Sequence, residues 1–350
     1  MAHTPLELQA PIGPVEALRR VAYLMERDRA GSYRVDAFRK ALALLKAMPE
    51  AELAAHGDAD DLTELAGIGP STAEVISAAQ AGGMPPRLAR LQDGARVPLA
   101  AGGTDLWGAI IGDCHSHSTW SDGGSPIDEM VLAAIDLGQQ WLVLTDHSPS
   151  LRVARGLSAE RLAHQLAVID AINAGLTGAF TLLKGIEVDI LEDGQLDQSE
   201  ELLDQLDIVT ASVHSKLRMP AEPMTRRMVA AVTNPRVNVL GHCTGRLVEG
   251  SRGTRPASDF DAREVFAACA EHDVAVEINS RPERCDPPDE LITLAADLGC
   301  LFAIDSDAHA PGQLEMKAYG CERADRLGIP PARIVTTWGL PQLRAWAGSS

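Results

Sequence analysis

Asp113-Cys114-His115-Ser116-His117-Ser118-Thr119-Trp120-Ser121-Asp122-Gly123 is the stretch on which the reading of this chain turns. It follows the short apolar run Ala109-Ile110-Ile111, which predicts a brief strand. Strand side chains alternate between faces, so His115 and His117 leave such a strand on the same side. Two imidazoles pointing one way invite a metal ion, although a His-x-His taken alone is more often an ordinary histidine pair.

Six further apolar runs close in the same manner. They are Trp141-Leu-Val-Leu-Thr-Asp146-His147, Thr181-Leu-Leu-Lys-Gly-Ile-Glu187, Ile208-Val-Thr-Ala-Ser-Val-His214, Val237-Asn-Val-Leu-Gly-His242, Val274-Ala-Val-Glu-Ile-Asn279 and Leu301-Phe-Ala-Ile-Asp-Ser-Asp307-Ala-His309. Helix-period segments such as Ser158 to Asn173 and Asp259 to His272 lie between them. This β/α alternation predicts a parallel sheet, and seven units predict a closed or nearly closed barrel. In such barrels the chemistry gathers at the carboxyl ends of the strands. Six of the ten histidines (His115, His117, His147, His214, His242 and His309) fall at these endings rather than scattering through helices and loops. Asp146 and Glu277 stand in the same runs and can equally serve to orient their neighbours.

The segments Thr145 to Leu157, Lys184 to Asp189, Ser212 to Ser215, Gly241 to Arg246, Glu277 to Asn279 and Asp307 to His309 carry a resemblance spanning almost all of residues 109 to 340. The barrel resembles a PHP (polymerase and histidinol phosphatase) domain, and more closely the carboxyl-terminal PHP domain of bacterial family X DNA polymerases. The resemblance implies an α/β fold, a PHP-type distorted (β/α)7 barrel over residues 109–350, and a metal-dependent phosphoesterase. Carried over residue by residue, it implies one ion on His115, His117, Glu187 and Asp307. A second ion would share Glu187 and add His214 and His242, and a third would take Asp122, His147 and His309. A donor set of His, Asp and Glu without thiolates suits zinc, manganese or iron, so two or three divalent ions are expected, with Glu187 as a bridge. Glu187 and Asp307 are thereby catalytic candidates. Lys184, Arg246 and Arg284 match basic positions of the family and are candidates for holding phosphate oxygens.

Ahead of the barrel, residues 14–91 read as helical. Val15, Leu18, Val21, Ala22 and Met25 repeat at helix spacing, as do Phe38, Leu42, Leu45 and Met48 before Pro49. Within Leu62 to Ile76, the Gly67-Ile68-Gly69 turn before a new helix resembles a helix-hairpin-helix motif, in which small residues let backbone N–H groups approach a phosphate. Ser32 to Ala41 resembles the amino-terminal small domain of family X polymerases. A small all-α helix-hairpin-helix domain is therefore expected over residues 1–91, with Gly67, Gly69 and Ser71 as DNA-binding candidates. Two departures weaken the parallel. Val75 stands where lyase-active relatives place the Schiff-base lysine, and Ser71 where a phosphate-binding lysine is common, so lyase chemistry is not expected. Residues 92–108, with Gly102-Gly103, read as a linker too short to hold a polymerase palm, fingers and thumb. Nucleotidyl transfer is therefore expected to be lacking.

Composition bounds the partners. The 350 residues carry 31 Lys and Arg against 49 Asp and Glu, a formal charge of −18, which argues against a generally adhesive nucleic-acid coat. Residues 1–100 hold 11 basic and 13 acidic residues, leaving 20 against 36 in the remainder. The amino part is thus nearly neutral at −2 and the barrel strongly acidic at −16. Six cysteines form no Cys-x-x-Cys, and neither a signal peptide nor an apolar run of membrane-spanning length is read, so a cytoplasmic setting without a membrane partner is expected. The favoured expectation is hydrolysis of phosphodiesters at DNA ends, as a 3'-5' exonuclease or a 3'-end-processing enzyme of DNA repair. The alternatives are a phosphomonoesterase for a small phosphorylated metabolite such as histidinol phosphate, and a non-catalytic DNA-binding module.

Overall fold

The computed structural model describes residues 7–348 apart from 60, 177, 179, 251 and 252, so the outermost residues of both expected domains (1–6 and 349–350) lie outside the described residues. The chain divides into two compact units. One runs up to Pro98 and also takes Ala310–Gln313; the other comprises Leu99–His309 and the chain from Leu314 onward.

The larger unit is built on six parallel strands in sequential order: β1 (Trp141–Leu144), β2 (Thr181–Asp189), β3 (Ile208–Ser212), β4 (Val239–Leu240), β5 (Ala275–Asn279) and β6 (Phe302–Asp305). Helices separate consecutive strands, among them Ala159–Gly175 and Ala262–Glu271, each beginning on a side-chain cap from Ser158 or Asp261. The seventh expected strand takes an irregular form. Ala109 ends the short helix Thr104–Ala109, and the following residues make one bridge, Ser116 with Ala308, in place of a regular ladder. They still fill the seventh position. Val143 N donates to Asp113 O and Thr145 N to Ser116 O on the β1 side, while His117 N donates to Ala308 O beyond β6. Gly112 is needed in this path because a Cβ there would meet the Trp141 ring at 2.1 Å.

Alternate residues face the barrel interior, odd-numbered in β2, β5 and β6 and even-numbered in β3. At the amino ends of the strands Trp141, Val143, Leu183, Ile208, Val239, Ala275 and Ala303 pack with Cys114 into one apolar cluster, closed by Val335, Leu343 and Trp346 from the carboxyl-terminal segment. Further along the same strands the inward positions turn polar: Glu187, Thr210, Ser212, Glu277, Asn279 and Asp305, all buried. The apolar half stabilises the barrel by burial, at roughly 25 cal/mol per Å² removed from water. The polar half is free to carry a site.

Between them lies a buried ion pair. Lys317 Nζ sits 3.2 Å from Asp113 Oδ2 and donates to Gly112 O at 2.9 Å. Asp113 in turn accepts from His115 N at 3.2 Å and Ser306 Oγ at 2.6 Å, so it holds the His115 segment against the segment after β6. Burial and the adjacent Asp113 push the Asp305 carboxyl well above the usual carboxylate range.

The smaller unit is helical: α1 (Pro14–Arg27), α2 (Ser32–Ala47), α3 (Glu50–Ala59), α4 (Pro70–Gln80) and α5 (Pro86–Ala95). Leu18, Val21, Ala22, Phe38, Leu42, Leu45, Val75, Ile76 and Leu88 form its core, as the helix-spaced apolar residues predict. A bidentate pair of Arg39 with Glu26, at 2.7 and 2.6 Å, ties α2 to α1. The expected linker over residues 92–108 is shorter than its composition implies. Residues 92–95 complete α5 and Thr104–Ala109 is helical, leaving residues 96–103 between helices.

The buried pair gives a stability prediction. Lys317→Met leaves Asp113 buried without its counter-charge and should cost about 3–5 kcal/mol. Urea denaturation measures it; a loss under about 1 kcal/mol would mean that Asp113 does not depend on the lysine charge.

Candidate active site

All nine residues expected to bind metal converge at the carboxyl ends of the strands, and Glu187 is the centre. It is 1% exposed and five imidazoles surround its carboxylate. His242 Nε2 lies 2.8 Å and His214 Nε2 3.1 Å from Oε1. His147 Nδ1 lies 2.8 Å, His115 Nε2 3.2 Å and His117 Nε2 3.5 Å from Oε2. Asp307, two residues beyond β6, places Oδ1 3.5 Å from His117 Nε2 and 3.5 Å from His309 Nδ1. Asp122 Oδ1 stands 3.4 Å from both His147 Nε2 and His309 Nε2.

The donors fall into four overlapping groups, within each of which the atoms lie within 4.8 Å of one another. These are His117 with Asp122, His147 and His309; His115 with His117 and Asp307; His115 with Glu187 and His242; and His147 with Glu187 and His214. His214 and His242 both face Glu187 Oε1, and the groups place His147 beside the former and His115 beside the latter.

The donor set fits divalent ions on an observation independent of its spacing. His115 Nε2, both ring nitrogens of His117, His147 Nδ1, His214 Nε2 and Glu187 Oε2 are buried without a hydrogen-bond partner. A buried polar group left so costs about 1–3 kcal/mol, and a cation satisfies several at once. The electrostatics agree. Burial disfavours charge on Glu187, yet His115, His214 and His147 hold its carboxyl well below the usual range. Burial opposes charge on His147 as well, but Glu187 and Asp122 raise it to about 10. Burial and the nearby His309 and His147 lower His117 to about 3, leaving it neutral, the form that ligates metal. Protons on the raised imidazoles and a divalent ion thus compete for the same positions around Glu187.

An outer layer aims these donors. Glu277 Oε1 is 2.6 Å from His115 Nδ1, and its other oxygen accepts from His242 N. Asp146 accepts from Ser118 N at 2.8 Å, Ser118 Oγ at 2.6 Å and Gln165 Nε2 at 2.6 Å, fixing the loop that carries His117 and Asp122. Both therefore orient neighbours, one of the roles the sequence allows them. Asp189 was not singled out from sequence, and its Oδ1 stands 3.0 Å from His214 Nδ1. Its position two residues after Glu187 on β2, on the same face, is the signal that marks it.

The basic candidates divide. Arg284 belongs to the site, with Nε donating to Asp307 Oδ2 at 3.1 Å. Arg281, unmarked by sequence, joins it 3.0 Å from His309 Nδ1. Lys184 is not brought to the site. Three residues from Glu187, it falls on the opposite face of β2, and its Nζ pairs with Asp170 at 2.8 Å. Arg246 is likewise turned away; its Nε donates to the carbonyls of Arg284 and Cys285, both at 3.1 Å, so it braces the loop bearing Arg284. The cavity above the cluster is about 660 Å³, and Arg218, Arg255, Arg281 and Arg284 line it with Leu151, Leu217 and Leu247.

In the helical unit, Gly67 has φ 101°, which only glycine adopts easily, and Gly69 is the N-cap of α4. Gly69 N–H is already bonded to Thr72 Oγ1 at 2.9 Å, so that amide is engaged within the turn. Ser71 is exposed in the first turn of α4, and Val75 is fully buried in the core.

Comparisons with known proteins match both units. Residues 13–83 match the helix-hairpin-helix domain family and residues 113–281 the PHP domain family. The chain is 42% identical over 239 residues to the Bacillus subtilis DNA polymerase/3'-5' exonuclease PolX, covering 68% of this chain and 41% of that protein. A Thermoanaerobacter protein described as a probable phosphatase is 30% identical over 211 residues, covering 57% of this chain and 79% of its own length. Histidinol phosphate phosphatase from Lactococcus lactis, solved with zinc, L-histidinol and phosphate, superposes with a TM-score of 0.47 at 18% identity, over 63% of this chain and 95% of that one. The fold and site define a metal-dependent phosphoesterase. The chain belongs to the PHP family and spans about two fifths of the length of its B. subtilis relative. No helix among the described residues is long and apolar enough to cross a membrane.

Two substitutions separate the layers. Glu187→Gln should abolish hydrolysis in a folded protein, because the amide removes the charge five imidazoles converge on; retained turnover would mean that this carboxylate is dispensable. Glu277→Ala should weaken metal affinity about 10–100-fold by releasing His115. His272→Ala, at the end of Ala262–Glu271 and outside the site, serves as the unaffected control.

Proposed function

We propose that this chain hydrolyses phosphodiesters at DNA ends, as a 3'-5' exonuclease or 3'-end-processing enzyme of DNA repair, without nucleotidyl transfer. The observation that carries this reading is the joining, in one chain, of a phosphoesterase barrel and a helix-hairpin-helix unit. A phosphatase for small metabolites has no use for the latter. The PolX relative, whose printed description includes a 3'-5' exonuclease, supports it. The short span between the units, residues 96–103, has no room for a nucleotidyl-transfer domain.

His115, His117, Asp122, His147, Glu187, His214, His242, Asp307 and His309 would hold two or three divalent ions of manganese, zinc or iron, with Glu187 shared between them. Such ions supply activation of water at neutral pH and neutralise charge on the phosphate. The chain's own groups supply the rest. Arg284, held by Asp307, and Arg281, beside His309, present guanidinium donors to non-bridging phosphate oxygens. Glu277, Asp189 and Asp146 keep the donor imidazoles in place, so little reorganisation accompanies the reaction. In the helical unit, Gly67, Gly69 and Ser71 place the start of α4 toward a DNA phosphate. With Gly69 N–H engaged by Thr72, that contact draws on its neighbours in the turn. The absence of lysine at positions 71 and 75 makes the grip weak and excludes Schiff-base chemistry.

A second reading, a small-molecule phosphomonoesterase such as a histidinol phosphatase, is favoured by the barrel's net −16, which repels polyanions. A non-catalytic DNA-binding role would require lost ligands, and all nine are in place.

Three outcomes test the proposal. Elemental analysis of reconstituted protein should find two or three transition-metal ions per chain; fewer than one on folded protein would sink the metal assignment. Metal loading should release protons and strengthen as pH rises, since His147, raised to about 10, must give up its proton to ligate; calorimetry in buffers of different ionisation enthalpy measures this. Assayed across metals, the protein should shorten 3'-ended DNA oligonucleotides faster than it releases phosphate from histidinol phosphate, and the reverse order would favour the second reading.

A further inference from the structure

We propose that a groove beside the active-site cavity, formed by Lys216–Pro220 and the segment Arg255, Pro256, Ala257 and Asp259, holds the sugar–phosphate strand upstream of the scissile bond. This rests on the phosphodiesterase reading and specifies how that site distinguishes a polynucleotide from a small ester.

The groove encloses about 460 Å³, and three residues, Leu217, Arg218 and Arg255, line both it and the main cavity, so the two spaces are continuous. Its walls are locked together. Ser258 Oγ donates to Leu217 O at 2.9 Å while Ser258 N donates to Thr244 O at 2.8 Å. Arg255 is fixed by donating from Nε to Gly245 O at 2.6 Å, and Leu217 packs over Gly245, where a Cβ would meet it at 2.7 Å. Lys216, at φ 53°, starts a turn closed by Met219 N donating to its carbonyl at 2.8 Å.

The charge pattern selects the occupant. The barrel unit is acidic overall, yet Lys216, Arg218 and Arg255 all line this groove, together with the apolar Leu217, Met219, Pro220, Pro256 and Ala257. Three cations among apolar walls match a chain of phosphates joined by sugars. A metabolite with one phosphate is accommodated within the 660 Å³ cavity and has nothing to place here. Asp259 is the one acidic residue among those lining the groove, and its carboxylate opposes such a strand. The exposed contact of Lys216 with Glu192, at 3.9 Å, is weak enough to yield to a phosphate.

Lys216 and Asp259 line the groove but not the main cavity, so reversing each charge tests the groove in the full-length protein. The probes are a single-stranded oligonucleotide of about twelve residues and the small diester thymidine 5'-(p-nitrophenyl phosphate). Lys216→Glu should lower kcat/KM on the oligonucleotide about tenfold at low salt and flatten its salt dependence by about one unit of slope; Asp259→Lys should raise it severalfold. Both variants should keep turnover of the small diester within about twofold. If the wild-type protein cuts the oligonucleotide but neither variant shifts it, or both substrates fall together, the groove is not a strand site while the diesterase reading stands. If the wild-type protein leaves oligonucleotides intact and hydrolyses only small esters, both the reading and the groove are overturned.

Discussion

A carboxylate buried at 1% exposure with five imbedded imidazole neighbours is the constraint on which this molecule depends. Removing Glu187 from water is costly unless positive charge surrounds it; His115, His214 and His147 supply that charge as imidazoliums, and His117 and His242, held neutral, complete the ring of donors around it. Those five histidines come from three separate β/α units and the irregular seventh segment, so the barrel must close for the charge to be balanced. The apolar cluster below, from Trp141 to Ala303, brings the strand ends together. Asp113 and Lys317 then fasten the segment bearing His115 at the level where the interior turns from apolar to polar.

The same economy governs the outer layer. Imidazoles have two nitrogens, and holding one of them aims the other. Glu277 does this for His115 and Asp189 for His214, while Asp146 fixes the backbone that carries His117 and Asp122. The surplus of acidic residues that makes the barrel unit so negative thus includes a working fraction around the cluster. Cationic side chains, scarce in the unit as a whole, gather at the cavity: Arg281 and Arg284 near the donors, Arg218 and Arg255 on the outer wall. A polyanionic substrate approaching this surface is repelled everywhere else, which makes local arrangement rather than net charge the determinant of what binds.

Much of this was legible in the sequence. Apolar runs ending in His, Asp or Glu mark the strand ends, because a strand that is buried below and functional above must change character along its length. All nine donors that the family resemblance implies meet in space. Helical spacing of apolar residues likewise marks α1, α2 and α4, and Gly67 at φ 101° marks the turn that glycine alone enters easily. Composition misled over residues 92–108, where Gly and Ala read as linker although residues 92–95 and Thr104–Ala109 are helical. Local propensity is weak there, and packing decides.

The sequence by itself determined the order of the β/α units and the placing of polar residues at strand ends, since these follow from period-two alternation and side-chain chemistry, while the expected donor set came from the resemblance to the PHP family. Only the tertiary structure decided which donors share a neighbourhood. His242 stands with His115, and His214 with His147, because curling the sheet fixes which strand ends face across the barrel. Tertiary structure also sorted the cations. Lys184 and Glu187, three residues apart, separate to opposite faces of β2; Arg246 turns to brace a loop; and Arg281 reaches the site unannounced. A long side chain extends several ångströms from its backbone, so its destination is set by the partners that packing places within reach, and those lie far away in sequence.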